Sequence, residues 1–501
     1  MDPRGARAVE RGALALAAPM GVWLLLLHLR MVVSSAPQEM REGAVVWITR
    51  LLLEGRNPYA LEELPAGTNV YGILYHLIVL PFAWLSGNSY AVHRVVSAAA
   101  IFGACLLFYR LLRRESVDQS IALVGVLLFY ASSLYFVAPL ARPDGLGVFL
   151  SMASVSLLFS GRVTSQRFAA GLALALLAFL TKMYLAYPPF VLAAYELVFG
   201  SKKRGVLYGF GSAMACMALL LLLSRVYPAY INVSIVANTQ EMSYDWAHAV
   251  GQTLDWLVFS LPLAVTFAIT ALRRLSAPPP VGPPVFAFVG GANLLVFAIW
   301  LGGHPGAHMT YLFQLVTPAL LLALLPHVGP SGWPRALVTA ALPVAFVWNA
   351  HYFPLTFGRF TAAERTFARM EDVVRSSRNV LGSTEVAGLL ALEGRRVFDS
   401  GQSQYFRYAS VERALPGLVP AAAIASRWGA FQAEIAGGIE SQTFDLIVRN
   451  RRTGVIPAGL VAASYRREDS LDVDLPWSGQ QWPLDLWRPA PGARTGSAAD
   501  R

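Results

Sequence analysis

The chain has 501 residues, 55% of them apolar and only 14% charged. Soluble domains carry roughly 25% charged residues. The composition therefore excludes an ordinary soluble enzyme, a disordered chain and a small secreted domain, and predicts a polytopic membrane protein. Forty Lys and Arg against thirty Asp and Glu give a net charge of +10. These cations cluster between apolar runs, the positive-inside pattern rather than a nucleic-acid surface.

In chain order, the first apolar run is 12–34, after Arg4, Arg7 and Arg11. Ser34-Ser35-Ala36 gives it a faint look of a signal peptide, but it reads better as a retained first span with its N-terminus inside. Further runs lie at 69–87, 91–110, 119–139, 144–160, 167–181, 183–200, 205–226, 252–271, 284–301, 310–326 and 335–351. Basic clusters at Arg110/Arg113/Arg114, Arg162/Arg167, Lys202/Lys203/Arg204 and Arg273/Arg274 should face the cytoplasm. Parity then requires 69–87, interrupted by Asn69, Gly72, His76 and Pro81, to be juxtamembrane or re-entrant. About eleven transmembrane helices remain, with loop 35–68, the turns at 139–144, 181–183, 227–250 and 302–309, and the C-terminus all outside. Cys105 and Cys216 sit in separate apolar runs, which predicts packed thiols with neither a disulfide nor a metal site.

The expected organisation is a polytopic all-α membrane domain over 1–351 and a soluble α/β domain over 352–487. In the second, 379–383, 396–399 and 444–448 read as short strands and 384–393 as a helix. The tail 488–501 is rich in Pro, Gly, Ala and Ser and reads as disordered.

Acids are scarce, so their positions carry information. Pro37 to Gly43 contains Glu39, Arg41 and Glu42, and the following Ala44–Leu53 reads as an interface helix stopped by Gly55-Arg56-Asn57-Pro58-Tyr59. Glu42 fits either a helix-start anion or a general base or metal ligand. Asp144, in Arg142-Pro143-Asp144-Gly145, fits either a helix cap or half of an acid-plus-arginine site at the outer edge of the bilayer. Lys182 interrupts an apolar stretch; it can snorkel or hold a phosphate. His304 and His308 share an outer loop, a weak zinc signal without a nearby acid. Loop 227–250 adds Glu241, Asp245, His248 and the sequon Asn232-Val233-Ser234. Two separated acids, a lysine, arginines, histidines and tyrosines at one membrane face suit transfer of a sugar from a lipid phosphate. A carboxylate would take the acceptor proton and cations would stabilise the phosphate leaving group, with help from a divalent ion such as Mg2+ or Mn2+ on carboxylate oxygens.

In its order of motifs the chain resembles GT-C superfamily glycosyltransferases, specifically bacterial polyprenyl-phosphate-sugar-dependent enzymes of the aminoarabinose-transferase and protein-mannosyltransferase type. The similar features are the acid after the first span, Gly-x-Asn-Pro-Tyr, Asn69-Val70-Tyr71-Gly72, Val92-His93-Arg94, Arg142-Pro143-Asp144, Leu180-Thr181-Lys182 and the His-rich loop before Tyr311, over about residues 12–350. The resemblance implies a catalytic base at Glu42, or at Glu39 because Arg41 stands where relatives carry an acid. It implies acceptor or metal binding by Asp144, with Glu42 as a second metal ligand, and phosphate binding by Lys182, Arg94 and Arg142. Substrate contacts would come from Asn57, Tyr59, Tyr71, His304, His308 and Tyr311. It further implies inverting transfer from a polyprenyl-phosphate sugar to a lipid, glycan or protein acceptor, at the outer face of a bacterial inner membrane. The rivals are a transporter of a lipid-linked or polar substrate, which would place its polar groups near the midplane, and a non-enzymatic membrane scaffold.

Overall fold

The structure is a computed structural model that describes residues 3–131, 140–159, 161, 163–236, 244–264, 268, 285–304, 308–329, 331–352, 356–382, 384–399, 403–406, 419–452, 456, 458–476 and 481–491. Glu241, Arg162, the Arg273–Arg274 cluster and the tail from 492 lie outside these residues.

The helical part runs α1 (Pro3–Val33), α2 (Glu42–Leu53), α3 (Leu74–Ser86), α4 (Tyr90–Arg114), α5 (Gln119–Phe129), α6 (Asp144–Leu158), α7 (Ser165–Phe179), α8 (Pro188–Phe199), α9 (Lys202–Val226), α10 (Trp246–Phe259), α11 (Val285–Val296), α12 (Thr310–Leu315), α13 (Thr317–Leu324) and α14 (Trp333–Tyr352). Capping residues set many of the starts: Ser89, Asp118, Thr164, Ser201 and Asp245 each accept a backbone N–H of the first turn. Asp255 therefore lies inside α10, which begins six residues before the expected run. Among the described residues, four helices are long and apolar enough to cross a bilayer: Arg4–Val33, Tyr90–Arg114, Lys202–Val226 and Thr310–His327, the last formed by α12, α13 and a closing 3-10 turn. Seven more apolar helices are shorter. Their outward faces are apolar, with Leu25, Phe102, Leu207, Phe210 and Leu222 all exposed, as lipid-facing surfaces require.

α3 has 13 residues, about 20 Å of helix against roughly 30 Å of hydrocarbon. The chain before it is extended and pairs with the turn after α7: Gly72 N–H donates to Thr181 O at 3.0 Å and Leu74 N–H to Leu180 O at 3.0 Å. A Cβ at Gly72 would sit 2.0 Å from Leu180 O, so only glycine lets these backbones meet.

The C-terminal part comprises α15 (Phe357–Arg375), β1 (Val380–Leu381), α16 (Thr384–Leu392), α17 (Ala421–Glu440), β2 (Leu446–Asn450), α18 (Ala458–Ser464), β3 (Tyr465–Asp474) and β4 (Gln481–Pro489). The sheet order is β1-β2-β4-β3, with β1 and β2 parallel and the other pairs antiparallel. The strand expected at 396–399 is irregular chain that buries Val397 and Asp399. The tail expected from 488 starts later, because Arg488 and Pro489 complete β4. The β3–β4 hairpin was not expected: Tyr465–Asp474 is mostly charged and buries only Tyr465, Leu471 and Val473 fully.

Helix α2 belongs to both parts. Val46, Trp47, Ile48 and Leu51 pack with Val386, Leu389 and Leu390 of α16 and with Leu446 and Leu484 of the sheet. Gly43 and Gly388 permit the crossing, since a Cβ on Gly43 would come within 2.9 Å of Gly388 N. Arg30 of α1 also pairs with Glu364 of α15.

Gly72→Ala should cost about 1–3 kcal/mol or more, because the added methyl meets backbone rather than a movable side chain. Gly251→Ala, where a Cβ meets nothing within 4 Å, should not destabilise. Thermal unfolding of both purified variants in detergent checks this; equal melting temperatures would refute the backbone contact.

Candidate functional site

Glu42 and Arg94 are both fully buried and form a bidentate pair, Nη2–Oε2 at 2.6 Å and Nε–Oε1 at 2.9 Å. Glu42 also accepts the N–H of Gln38 at 2.6 Å and of Ala141 at 2.6 Å. Arg94 donates further to Met31 O, Ser34 O and Ala36 O, at 2.9, 2.6 and 2.9 Å. A guanidinium has five N–H donors, and all five are engaged. This arrangement bears on two expectations. Arg94 has no donor left for a phosphate, and both oxygens of Glu42 are saturated by four fixed donors where a base needs an open lone pair for the acceptor hydroxyl.

A second cluster is built differently. Asp144, in the first turn of α6, places Oδ1 2.6 Å from Lys182 Nζ and 3.3 Å from Gln314 Nε2. It makes no cap bond, so the helix-cap reading of Asp144 fails. Its Oδ2 lies 3.2 Å from Arg142 Nε without hydrogen-bond alignment, and both atoms are buried with no hydrogen-bond partner among the described residues. Buried polar atoms are usually satisfied, so a charge pair that faces at contact distance without aligned hydrogen bonds is unusual. Arg142 also lies 3.5 Å from Glu39 Oε1 and donates to Tyr71 Oη at 3.1 Å. The same Tyr71 oxygen accepts from Arg41 at 3.1 Å, and Glu39 Oε2 accepts the Arg41 N–H at 2.8 Å.

Lys182 Nζ sits within a cage of three rings, 5.2, 5.6 and 5.5 Å from the centroids of Tyr71, Tyr184 and Tyr311, a cation–π arrangement. Tyr184 stacks on Tyr311 and donates to Gln314 Oε1 at 2.7 Å. His308 lies at the rim. Its imidazole is held down to about 4, first by desolvation and then by the charges of Arg142 and Arg41, so it stays neutral near pH 7. The cluster thus carries three cations, Arg41, Arg142 and Lys182, against two carboxylates, Glu39 and Asp144.

The structure therefore brings Glu39, Tyr71, Arg142, Asp144, Lys182 and Tyr311 together, with His308 beside them. Asn57 and Tyr59, expected at the substrate, hold the loop instead. Asn57 donates to Val226 O and accepts the Tyr59 N–H, and the buried Tyr59 donates to Tyr71 O at 2.7 Å. His304 packs edge-on against Tyr244 and joins none of these bonds among the described residues. Asn232 of the sequon is buried and donates to Val419 O, which leaves no room for a glycan. Gln314, Tyr184 and Arg41 were missed as site residues. Gln314 had a signal, a lone amide inside an apolar run. Glu42 and Asp144 do not suit a divalent ion, since each carboxylate already carries its own cation, Arg94 or Lys182. Among the described residues no three His, Cys, Asp or Glu side chains are grouped as metal ligands.

No protein-family pattern and no curated protein matches the sequence. Solved structures do. ArnT from Cupriavidus metallidurans in the apo state superposes with a TM-score of 0.56 over 97% of this chain and 100% of that one, at 13% identity. ArnT bound to undecaprenyl phosphate gives 0.54 with the same coverage, at 12% identity. The chain is mostly helical and shares the overall fold of these two ArnT structures, with four described helices long and apolar enough to cross a membrane.

Glu42→Gln should destabilise the protein by about 3–5 kcal/mol, because Arg94 is left buried without its partner. The pair replacement Glu42→Leu with Arg94→Met should recover much of that loss. Thermal unfolding decides. A Glu42→Gln protein that melts like the parent and yet loses activity would restore Glu42 as a chemical group.

Proposed function

We propose that the protein transfers a sugar from a polyprenyl-phosphate donor to a cell-envelope acceptor at the outer face of the membrane, with inversion at the anomeric carbon. The observation that carries this reading is the caged Lys182 beside Arg142 and Arg41, at the mouth of an acid pair. One Lys182 N–H bonds Asp144, and an ammonium has two more, available to phosphate oxygens. Arg142 Nε is a third donor without a partner among the described residues. The ArnT structure containing undecaprenyl phosphate has the same fold, which supports a lipid phosphate as the anion.

In the proposed step, the acceptor hydroxyl oxygen attacks the anomeric carbon as the bond from that carbon to the phosphate oxygen breaks. The bonding electrons leave with the polyprenyl phosphate, whose charge Lys182 and Arg142 stabilise. The acceptor proton passes to Glu39, the acid at this end whose Oε1 carries only a long 3.5 Å contact to Arg142. Asp144 and Gln314 hold Lys182 and Tyr184 in place and orient the acceptor. Proximity supplies much of the rest. The reading includes an eleven-span topology with a cytoplasmic N-terminus and residues 352–487 outside.

With purified enzyme and an undecaprenyl-phosphate sugar, Lys182→Ala should raise the donor KM or lower kcat/KM at least tenfold. Glu39→Gln should lower kcat at least a hundredfold, with an unchanged melting temperature. Donor kinetics untouched by Lys182→Ala would end the phosphate assignment. A reporter fused after 376 should read external and one at 203 internal; reversed readings would overturn the topology.

A further inference from the structure

A cavity of about 380 Å3 lies between α2, loop 54–66, the chain at 394–398 and α17. Its size is at the low end of small-molecule sites, roughly 300–1,000 Å3. Loop and domain are tied together at its edge: Arg427 of α17 donates to Leu64 O at 2.6 Å and to Glu62 O at 3.1 Å.

The walls combine flat rings with charges that cancel. Trp47, Phe398 and Phe431 line the cavity with four arginines and four glutamates. Most of these are already paired. Arg56 bonds Glu54 and Glu63, Arg396 bonds Glu434, and the guanidiniums of Arg56 and Arg396 lie over Trp47 and Phe398 at 5.9 and 4.4 Å. With no net charge, the walls have no long-range pull on an anion or a cation. Two polar groups remain open. The Glu62 carboxylate is exposed and makes no ion pair among the described residues. Trp47 is 5% exposed, and its indole N–H is buried with no acceptor among the described residues. Leaving such a donor unmet is unfavourable, and a ligand oxygen would satisfy it.

From these features we infer a binding site for a neutral saccharide. Sugar C–H faces pack on flat rings, the Glu62 carboxylate accepts from sugar hydroxyls, and a hydroxyl oxygen accepts the Trp47 N–H. Trp47 lies five residues after Glu42, about 7.5 Å along α2. A glycan seated here would thus extend toward Glu39 and Arg41. Its role as the acceptor's glycan rests on the transfer reading above; its binding does not.

The test uses the full-length protein in lipid nanodiscs, titrated with a panel of neutral di- to tetrasaccharides of glucose, galactose, mannose and N-acetylglucosamine, and with sulfated tetrasaccharides. At least one neutral member should bind, and the sulfated ones should not. Glu62→Gln, at an exposed position that folding does not need, and Trp47→Phe, which keeps the ring and removes the N–H, should each weaken binding at least fivefold. Asp144→Asn should leave binding unchanged. The site is refuted if no neutral saccharide binds at millimolar concentration, if both variants bind like the parent, or if the sulfated probes bind better. Saccharide binding in a protein that transfers no sugar would keep this site and reject only the reaction; transfer without saccharide binding would do the reverse.

Discussion

Glu42 and Arg94 meet where water does not reach, and every polar atom of both head groups is engaged. Such a pair adds little net stability, since desolvation offsets most of the attraction. Its effect is geometric. The bonds run to the end of α1, to the elbow at 34–38, to the start of α2 and to Ala141. Arg142 and Asp144 follow Ala141 at once, and Glu39 and Arg41 lie just before α2. The ion pair therefore sets the position of Glu39, Arg41, Arg142 and Asp144.

The same economy appears on the other side of the site. Lys182 reaches Asp144 because Leu180 and Thr181 pair with Gly72 and Leu74, and that pairing also delivers Tyr71. A lysine on an apolar run, a tyrosine in a polar loop and an aspartate after a proline are ordinary separately. Two backbone hydrogen bonds and one glycine make them neighbours. α2 then links this centre to the C-terminal domain, with its N-terminal end near the acids and Trp47 in the shared core.

Much of this was readable in the chain and some was not, for physical reasons. Membrane class, the helical region, α2 and its stop, and the GT-C likeness follow from hydropathy, Gly-Asn-Pro punctuation and motif order. Asp144, Lys182 and Arg142 stood out because charge is costly at the edge of lipid. The β3–β4 hairpin was hidden because most β3 side chains face water, so the strand alternation vanishes there. The roles of Glu42 and Arg94 were hidden too. An acid or arginine in a polar segment looks the same in sequence whether its partners are protein or ligand. Tyr59 and Asn57 misled for the same reason: loop-holding hydrogen bonds and substrate contacts use the same atoms.

What separates scaffold from chemistry here is satisfaction rather than residue type. Glu42 and Asp144 both begin helices, both are buried and both face an arginine. Glu42 has a full set of well-aligned donors, so any substrate would have to displace a protein bond of equal quality. Asp144 and Arg142 face each other at contact distance with an oxygen and a nitrogen that make no hydrogen bond within the described structure. Lys182 is shared between Asp144, at 2.6 Å, and the faces of the tyrosine cage. The Asp144 cluster is thus incomplete in its hydrogen bonding, slightly positive and ringed by aromatic side chains, where the Glu42–Arg94 pair is complete.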